Sequence, residues 1–328
     1  MAVTHGGGIF AAAESAGVAW QQVLDFSASI NPLGPSPAAR EAILASLDRI
    51  EHYPERTGAG LRTRLSAEWG VHPEKIAVGN GATELLFEWC RRFPAGTIAT
   101  PAFGEFHRAW PNAAFCGLMD SATWPAEGSV VFTRPANPTG SLIDAESIAK
   151  YASQRSGAVL VDESFLDFSG APSLLPRAGG NLFVLRSLTK FWALPGLRVG
   201  ALAGDVATWE ATRPPWSLNA MAEAAALASL DDEHHARRTR EFVRAEGAWL
   251  ASELAALPGM RVWPPSANYL YVETPRASEL TGFASKRSVL LRDCSAWPGL
   301  ESSAVRVAVR RRWENRILIQ LCKEFLCA

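Results

Sequence analysis

Two residues in this sequence are well suited to chemistry: a lysine and an arginine that follows it at a short distance. Lys190 ends the run Ser187–Lys190, directly after an apolar segment, and Arg198 follows eight residues later. A lysine just past a buried strand can be desolvated, which lowers its pKa and makes its amine a nucleophile toward an aldehyde. Ser187, Thr189 and Arg198 could together bind a phosphate. The same residues could instead form a solvated loop with ordinary charges.

A glycine-rich run at 79–84 follows the apolar residues 76–78. Glycines let the backbone approach a ligand closely. A helix that begins there offers free N–H groups and a positive dipole end, which suit a phosphate. Thr83 could add a hydroxyl. An ordinary strand-to-helix turn would have the same composition.

Polar residues also follow two other apolar runs. Asn137 begins an Asn-Pro-Thr-Gly run after residues 130–133, and Asp162 follows residues 159–161. The first run is also typical of a simple turn. A carboxylate at a buried strand end needs a cationic partner or a solvated opening, and a protonated pyridine nitrogen would be such a partner. Asp162 could instead cap a neighbouring turn.

The elements that carry these residues are predicted from short apolar runs bounded by turn signals, with helical stretches between them. This pattern indicates a largely parallel sheet, and ligands bind such sheets beyond the carboxyl ends of the strands. The predicted strands are 76–78, 130–133, 159–161 and 182–185, and a predicted helix spans 83–92.

The last third of the chain has a different pattern. Residues 223–257 are mostly helical with a break near Asp231, whereas 269–272 and 305–309 alternate like half-exposed strands. We predict an N-terminal arm at 1–35, which the prolines make extended, a large domain at 36–215 and a small α+β domain at 216–328.

Bulk properties exclude several classes of function. The 328 residues are 48% hydrophobic, and 32 basic residues nearly balance 33 acidic ones, which gives no long-range attraction for nucleic acid or anionic membranes. Five scattered cysteines without a C-x-x-C motif favour a reduced compartment over disulfides or a zinc site. The N-terminus does not resemble a signal peptide. We therefore expect a cytoplasmic protein with no metal, membrane or nucleic acid as partner.

Together, four motifs resemble fold-type I pyridoxal-phosphate enzymes of the aspartate aminotransferase superfamily. They are Asn-Pro-Thr-Gly at 137–140, Asp-Glu at 162–163, Ser-x-x-Lys at 187–190 and the arginine at 198. The resemblance covers nearly the whole chain. It implies an α/β fold with a mostly parallel seven-stranded sheet flanked by helices, a smaller α+β C-terminal domain, and pyridoxal 5′-phosphate as cofactor. A non-catalytic protein of this fold would be expected to lack Lys190.

Two branches of the superfamily compete. Residues 5–7, 25–34, 185–191, 215–220 and 298–300 are similar to L-threonine-O-3-phosphate decarboxylases. Phe165 stands where histidinol-phosphate aminotransferases tend to have a tyrosine. The missing hydroxyl removes one hydrogen bond to the cofactor's phenolic oxygen and favours the decarboxylases. Two departures from the pattern are a short interval between Pro101 and Asn137, and Phe106 where a tyrosine is common.

The resemblance assigns cofactor roles to matching positions. Lys190 would form the Schiff base, Asp162 would pair with the pyridinium nitrogen, Asn137 would bond the phenolic oxygen and Phe103 would stack on the ring. The cofactor phosphate would be held by Gly81, Ala82, Thr83, Ser187, Thr189 and Arg198. Tyr53 would reach that phosphate from a second subunit, which implies a homodimer with shared active sites.

The resemblance also assigns substrate roles. Arg306 would bind the substrate carboxylate and Arg292 a substrate phosphate, since arginine suits bidentate binding of oxyanions. His5, Asn31 and Asn268 would line the same pocket. Either arginine could instead lie on the surface.

The predicted reaction is decarboxylation of L-threonine O-3-phosphate to (R)-1-amino-2-propanol O-2-phosphate in cobalamin biosynthesis. The alternative is an aminotransferase that acts on histidinol phosphate or an aromatic amino acid. In both cases the ligand is a small molecule, and for the decarboxylase it is a phosphorylated amino acid.

Overall fold

The computed structural model describes residues 6–328. Its strands are β1 Leu24–Asp25, β2 Ile76–Asn80, β3 Gly96–Thr100, β4 Ala114–Gly117, β5 Ser129–Thr133, β6 Val159–Asp162, β7 Leu182–Ser187, β8 Val199–Ala203, β9 Arg261–Val262, β10 Tyr269–Glu273, β11 Val289–Leu290, β12 Arg292–Asp293 and β13 Ala304–Ala308. Its α-helices are α1 Ile9–Ala16, α2 Pro37–Ala45, α3 Ala59–Trp69, α4 Ala82–Arg92, α5 Gly104–Ala109, α6 Ala145–Ser153, α7 Leu166–Ser169, α8 Ala220–Asp231, α9 Glu233–Ala255, α10 Ala277–Ser285 and α11 Arg312–Cys327.

The central sheet has seven strands in the order β2-β8-β7-β6-β5-β3-β4. Every neighbouring pair is parallel except the two pairs that involve β8. Because β8 is antiparallel to both β2 and β7, those two strands run the same way as the rest. The carboxyl ends of six strands therefore meet at one edge, and the mostly parallel α/β fold predicted from the sequence is confirmed.

Each predicted strand of this sheet lies within an observed one, and the predicted helix at 83–92 begins one residue earlier. The strand side chains of β5, β6 and β7 are buried throughout, as expected for a sheet covered on both faces. The break predicted near Asp231 is the junction of α8 and α9, where the Asp232 carboxylate caps α9 by accepting a hydrogen bond from the amide of His235.

A smaller antiparallel sheet, in the order β12-β13-β10-β9, forms the C-terminal part together with α10 and α11. Its apolar core is separate from the two cores on the faces of the large sheet. Phe26, near the N-terminus, is buried in this C-terminal core. Helix α8 packs on α2 and contributes to the core of the large sheet, so the domain boundary at 215 stays a prediction.

The arm is not extended throughout. Residues 9–16 form α1, since its alanine-rich composition favours a helix, and β1 pairs in parallel with β11. Within residues 6–328, no helix combines the length and the apolar character that crossing a membrane requires.

Candidate active site

Lys190 lies in a cavity of about 400 Å³ at the carboxyl edge of the large sheet. Burial, with the positive charges of Arg198 and Arg306, lowers the pKa of the Lys190 amine to about 8, against the opposing effect of Asp162. A substantial fraction of the amine is therefore neutral near pH 7.5 to 8, as a nucleophile toward an aldehyde must be. Predicted site residues that line this cavity are Ala82, Thr83, Phe103, Asn137, Asp162, Ser187, Thr189, Lys190, Arg198 and Arg306.

The strand order sets the sequence of groups along this edge. The turn formed by the glycine-rich run at 79–84, called the glycine turn below, lies at the end of β2, and Arg198 precedes β8. Ser187 ends β7, Asp162 ends β6 and Asn137 lies beyond β5. A group of hydroxyl, guanidinium and helix N–H donors is thus separated from the Asp162 carboxylate, with Lys190 following the strand between them.

The donor group is assembled around the N-terminus of α4. Gly81 is the N-cap residue with φ +81°, no side chain among the described residues caps the helix there, and a Cβ on Gly81 would overlap the Arg198 guanidinium. The Ser187 and Thr189 hydroxyls are buried and lie 2.8 Å apart. Arg198 itself has φ +59°, a strained conformation for a residue with a Cβ. The arrangement suits a phosphate at a helix N-terminus.

An ion pair between the buried Arg213 and the partly exposed Glu84 fixes the glycine turn. The Glu84 carboxylate accepts from the Asn80 amide (2.7 Å) and from the Arg213 guanidinium (2.9 Å). Arg213 also donates to the carbonyl oxygen of Val78 (2.7 Å). Residues on both sides of the turn are therefore connected through Glu84, although neither Glu84 nor Arg213 lines the cavity.

Asp162 is buried at the end of β6, and its carboxylate accepts a hydrogen bond from the Ser164 amide (2.9 Å). Burial raises the pKa of this carboxyl, and the nearby Lys190 opposes the rise. A cation next to Asp162 would favour its ionised form, so the position suits a protonated ring nitrogen.

Arg306 on β13 is held at the cavity wall by two hydrogen bonds of 2.6 Å, to the Asn137 side-chain oxygen and to the Ser27 carbonyl oxygen. Its Nε has no hydrogen-bond partner within residues 6–328, although it is buried. Arg292 lies directly opposite Arg306 in the β12–β13 register. The Arg292 guanidinium contacts the Trp297 ring, and no ion pair to a described residue neutralises it.

Five predicted site residues in the described part of the chain do not line the cavity, and Gly81 is one of them, although its neighbour Ala82 does. Tyr53 is 81% exposed and stacks on Trp216 with ring centroids 4.7 Å apart. Arg292 and Asn268 are not among the residues that line the cavity. Asn268 is buried, and both of its side-chain polar atoms lack a partner among the described residues. Asn31 is buried with its amide bonded to Phe191 and Thr239 instead of facing the cavity. His5 lies outside the described residues.

The sequence reasoning missed part of the wall. Residues 27–29 of the arm line the cavity together with Gly6, Glu105 and Arg108. The Ser29 hydroxyl is buried without a hydrogen-bond partner in the described part of the chain. The motif at 25–34 indicates that this segment belongs to the site. It does not indicate which of its side chains face the cavity and which face the core, because that depends on tertiary contacts.

The residues present fit a phosphorylated pyridine aldehyde. A nucleophilic amine, a carboxylate for a ring nitrogen and a donor group for a phosphate are in one cavity, and a Cβ at Gly200 would overlap the backbone nitrogen of Ala82, where the donor group begins. Phe103 offers an aromatic face in the same wall.

Comparisons with known proteins agree with this geometry. Residues 113–312 match the family model for aminotransferase class I and II. The chain is 33% identical to threonine-phosphate decarboxylase of Salmonella typhimurium over 98% of this chain and 96% of that protein. It is 29% identical to histidinol-phosphate aminotransferase of Methanothermobacter thermautotrophicus over 96% and 92% of the respective chains.

A solved structure has the same fold. Histidinol-phosphate aminotransferase of Sinorhizobium meliloti, in complex with pyridoxal 5′-phosphate, superposes with a TM-score of 0.85 at 18% identity, covering 99% of this chain and 96% of that one. The chain therefore belongs to the aminotransferase class I and II family, whose cofactor is pyridoxal 5′-phosphate.

Proposed function

We propose that this enzyme decarboxylates L-threonine O-3-phosphate to (R)-1-amino-2-propanol O-2-phosphate, a step of cobalamin biosynthesis. The 33% identity to a threonine-phosphate decarboxylase supports this choice. The structural observation that carries it is the pair of arginines, Arg292 and Arg306, directly opposite each other on β12 and β13. A substrate with both a carboxylate and a phosphate needs two such cationic anchors.

The two arginines differ in how they are held. Arg306 is fixed by Asn137 and Ser27, so it presents a rigid guanidinium suited to the carboxylate. Arg292 lacks an ion pair to a described residue, and burial with the charge of Arg306 lowers its pKa. An anion that binds between the two arginines would relieve their repulsion, which makes this position favourable for the substrate phosphate.

When bound, pyridoxal 5′-phosphate supplies an electron-withdrawing ring that weakens the bonds at Cα of a substrate amine. Lys190 would hold the cofactor and later deliver a proton to Cα. Asp162 would keep the ring nitrogen protonated, and the Gly81 turn with Ser187, Thr189 and Arg198 would hold the cofactor phosphate. The residues that hold the substrate would then select the reaction, because they would decide which bond at Cα is aligned for cleavage.

Phe165 supports decarboxylation over transamination. Its ring lines the cavity and packs edge-on against Tyr269 with centroids 5.0 Å apart. The Tyr269 hydroxyl donates to the Ala136 carbonyl (2.7 Å). Because Phe165 offers no hydroxyl of its own, Asn137 is left as the neighbouring polar group for the cofactor's phenolic oxygen.

The proposal includes a homodimer. Tyr53 does not line the cavity of its own subunit and is highly exposed, so it would contact the cofactor phosphate bound by a second copy. Such an arrangement shares each active site between two subunits.

The decisive experiment supplies the purified holoenzyme with threonine phosphate and measures released carbon dioxide and any keto acid. Stoichiometric carbon dioxide with 1-amino-2-propanol phosphate is expected. A keto acid without carbon dioxide would reject the proposal.

Variants link the result to the arginine pair. Arg292→Gln should raise KM for threonine phosphate by about ten-fold or more, since it removes a charge-assisted bond of about 1.5–3 kcal/mol. Arg287→Gln is the matched control, because Arg287 also lies over an aromatic ring, that of Phe283, but is not paired with Arg306 in the strand register.

The second candidate is a histidinol-phosphate aminotransferase, favoured by the 29% identity over 96% of the chain. The same preparation distinguishes it. Histidinol phosphate with 2-oxoglutarate would yield glutamate, and the amino donor alone would produce the absorbance of the pyridoxamine form of the cofactor.

A further inference from the structure

The Asn31 side chain has little hydrogen-bonding capacity left for a ligand. Its amide nitrogen donates to the Phe191 carbonyl (2.8 Å) and to the Thr239 hydroxyl (2.9 Å), and its oxygen accepts from the Leu33 amide (2.9 Å). Both amide hydrogens are therefore used inside the protein. A substrate could bind these hydrogens only by breaking bonds that are fully buried.

The neighbouring histidine does not compete for these bonds. His235 Nε2 lies 3.1 Å from the Gly34 carbonyl oxygen, so this nitrogen carries the proton and donates to Gly34. A protonated Nε2 cannot accept from the Asn31 amide, which is 3.5 Å away. Asn31 and Gly34 are thus both tied to α9, through Thr239 and His235 respectively.

Asn31 also holds the backbone at the reactive lysine. The Asn31 amide N–H donates to the Lys190 carbonyl (3.0 Å), so its main chain and side chain bind two consecutive carbonyls, those of Lys190 and Phe191. This segment is strained, because Ala193 has φ +54°, which is unfavourable for a residue with a Cβ. Strain of this kind persists only where surrounding contacts impose it.

The arm on the other side of Asn31 forms the cavity wall. Ser27 accepts the Arg306 bond through its carbonyl, and Ser29 lines the cavity with a hydroxyl that has no partner among residues 6–328. A single residue therefore connects the wall, the lysine segment and α9.

We infer that Asn31 and Thr239 form a latch that positions Lys190 relative to the arm and α9, and that Asn31 is a positioning residue and not a substrate ligand. The inference rests on the proposed role of Lys190. It assigns the substrate contact of this segment to Ser29, two residues earlier.

Hydrogen exchange of the holoenzyme, followed by mass spectrometry on peptides that cover 24–34 and 186–194, tests the latch. Thr239→Val keeps the shape of the side chain and removes the acceptor, and Asn31→Ala removes all three side-chain bonds. Both should speed exchange in the two peptides. Thr281→Val on α10, which loses a bond to the Ala277 carbonyl, is the control and should leave both peptides unchanged.

Steady-state kinetics separate positioning from substrate binding. Asn31→Ala should lower kcat about ten-fold, the equivalent of one lost hydrogen bond in the transition state, and leave KM within about two-fold. Ser29→Ala should raise KM and leave exchange unaltered. A large rise in KM for Asn31→Ala with exchange as in the wild type would overturn the latch. If wild-type enzyme does not decarboxylate threonine phosphate, the proposed function fails, and the exchange data still decide on the latch.

Discussion

At the scale of single residues, the chemistry of the site depends on moving one lysine out of water. The amine of Lys190 has a pKa of about 8, below its usual value of 10.5, because it is buried beside Arg198 and Arg306. The folded protein therefore disfavours the charged form of this side chain, and this lowers the free energy of unfolding at pH values where the unfolded chain carries the charge. An ordinary surface lysine does not destabilise the fold in this way, so the burial of Lys190 lowers stability in favour of function.

This cost predicts a pH dependence of stability in the cofactor-free protein. Between pH 8 and 10.5 the unfolded chain keeps a proton on Lys190 that the folded protein has released, so the free energy of unfolding rises with pH. Lys190→Met lacks this term. We expect the variant's stability advantage to be largest below pH 8 and to shrink by about 3 kcal/mol as the pH reaches 10.5.

Urea unfolding of both proteins across this pH range measures the difference. Groups common to the two proteins, such as the cysteines and the other lysines, cancel in the comparison. A constant difference in stability would show that the Lys190 amine titrates normally.

The sequence predicted most residues that end up around Lys190. Thr83, Asn137, Asp162 and Ser187 lie at or beyond the ends of apolar runs that become strands of one sheet, whereas Phe103 and Arg306 were expected only from the family resemblance. Asn31 and Ser29 show why it could not predict the rest. They lie in one motif, two residues apart, and only contacts with Thr239 and Phe191, far along the chain, direct Asn31 away from the cavity. No local pattern encodes such contacts.

At the scale of elements, the phosphate end of the site depends on how β2 joins α4. A glycine turn is flexible by composition, yet Glu84 fixes it by accepting from the Asn80 amide and pairing with Arg213. The sequence indicated the turn and the helix. Arg213 was beyond its reach, because 129 positions separate it from Glu84.

We predict that Glu84→Gln weakens binding of pyridoxal 5′-phosphate about ten-fold, because the turn loses a charge-assisted bond of about 1.5–3 kcal/mol and part of its preorganisation. Absorbance titration of the cofactor-free protein measures the dissociation constant. Glu88→Gln is the control, since Glu88 is on the same helix and paired with Arg91 and Arg92 but does not contact the turn. Equal effects of both substitutions would refute a specific role of Glu84.

At the scale of the whole molecule, the β4 edge of the seven-stranded sheet is connected to the rest of the sheet by an unusually short segment. The connection from β4 to β5, residues 118–128, contains only a short 3-10 turn, whereas parallel crossovers usually have about a dozen residues or more and a helix. Trp124 packs on Phe132 and Tyr151 there, with ring centroids 4.7 and 5.1 Å apart. The short interval noted in the sequence is thus filled by aromatic side chains, near the edge strand that carries the exposed Phe115.

Exposed apolar side chains recur at every third residue between positions 44 and 53. Leu44, Leu47, Ile50 and Tyr53 are all exposed, and Tyr53 stacks on Trp216. The 3-10 helix Leu47–Glu51 aligns Leu47 with Ile50, because side chains three apart align on such a helix, whereas Leu44 lies in α2 and Tyr53 follows the helix. Exposed apolar patches of this kind mark protein contacts.

We predict that this surface is the contact between two copies of the chain. Ile50→Glu would place a charge among apolar side chains that the partner buries, so the enzyme should become monomeric in sedimentation velocity.

The monomer should also bind pyridoxal 5′-phosphate more weakly, because it lacks Tyr53 of a second subunit. Tyr53→Phe should weaken cofactor binding without changing the mass of the particle. Phe115→Glu, at an exposed apolar residue on the edge strand β4, should leave both the mass and the affinity unchanged. A wild-type monomer with full affinity for the cofactor would contradict the shared site.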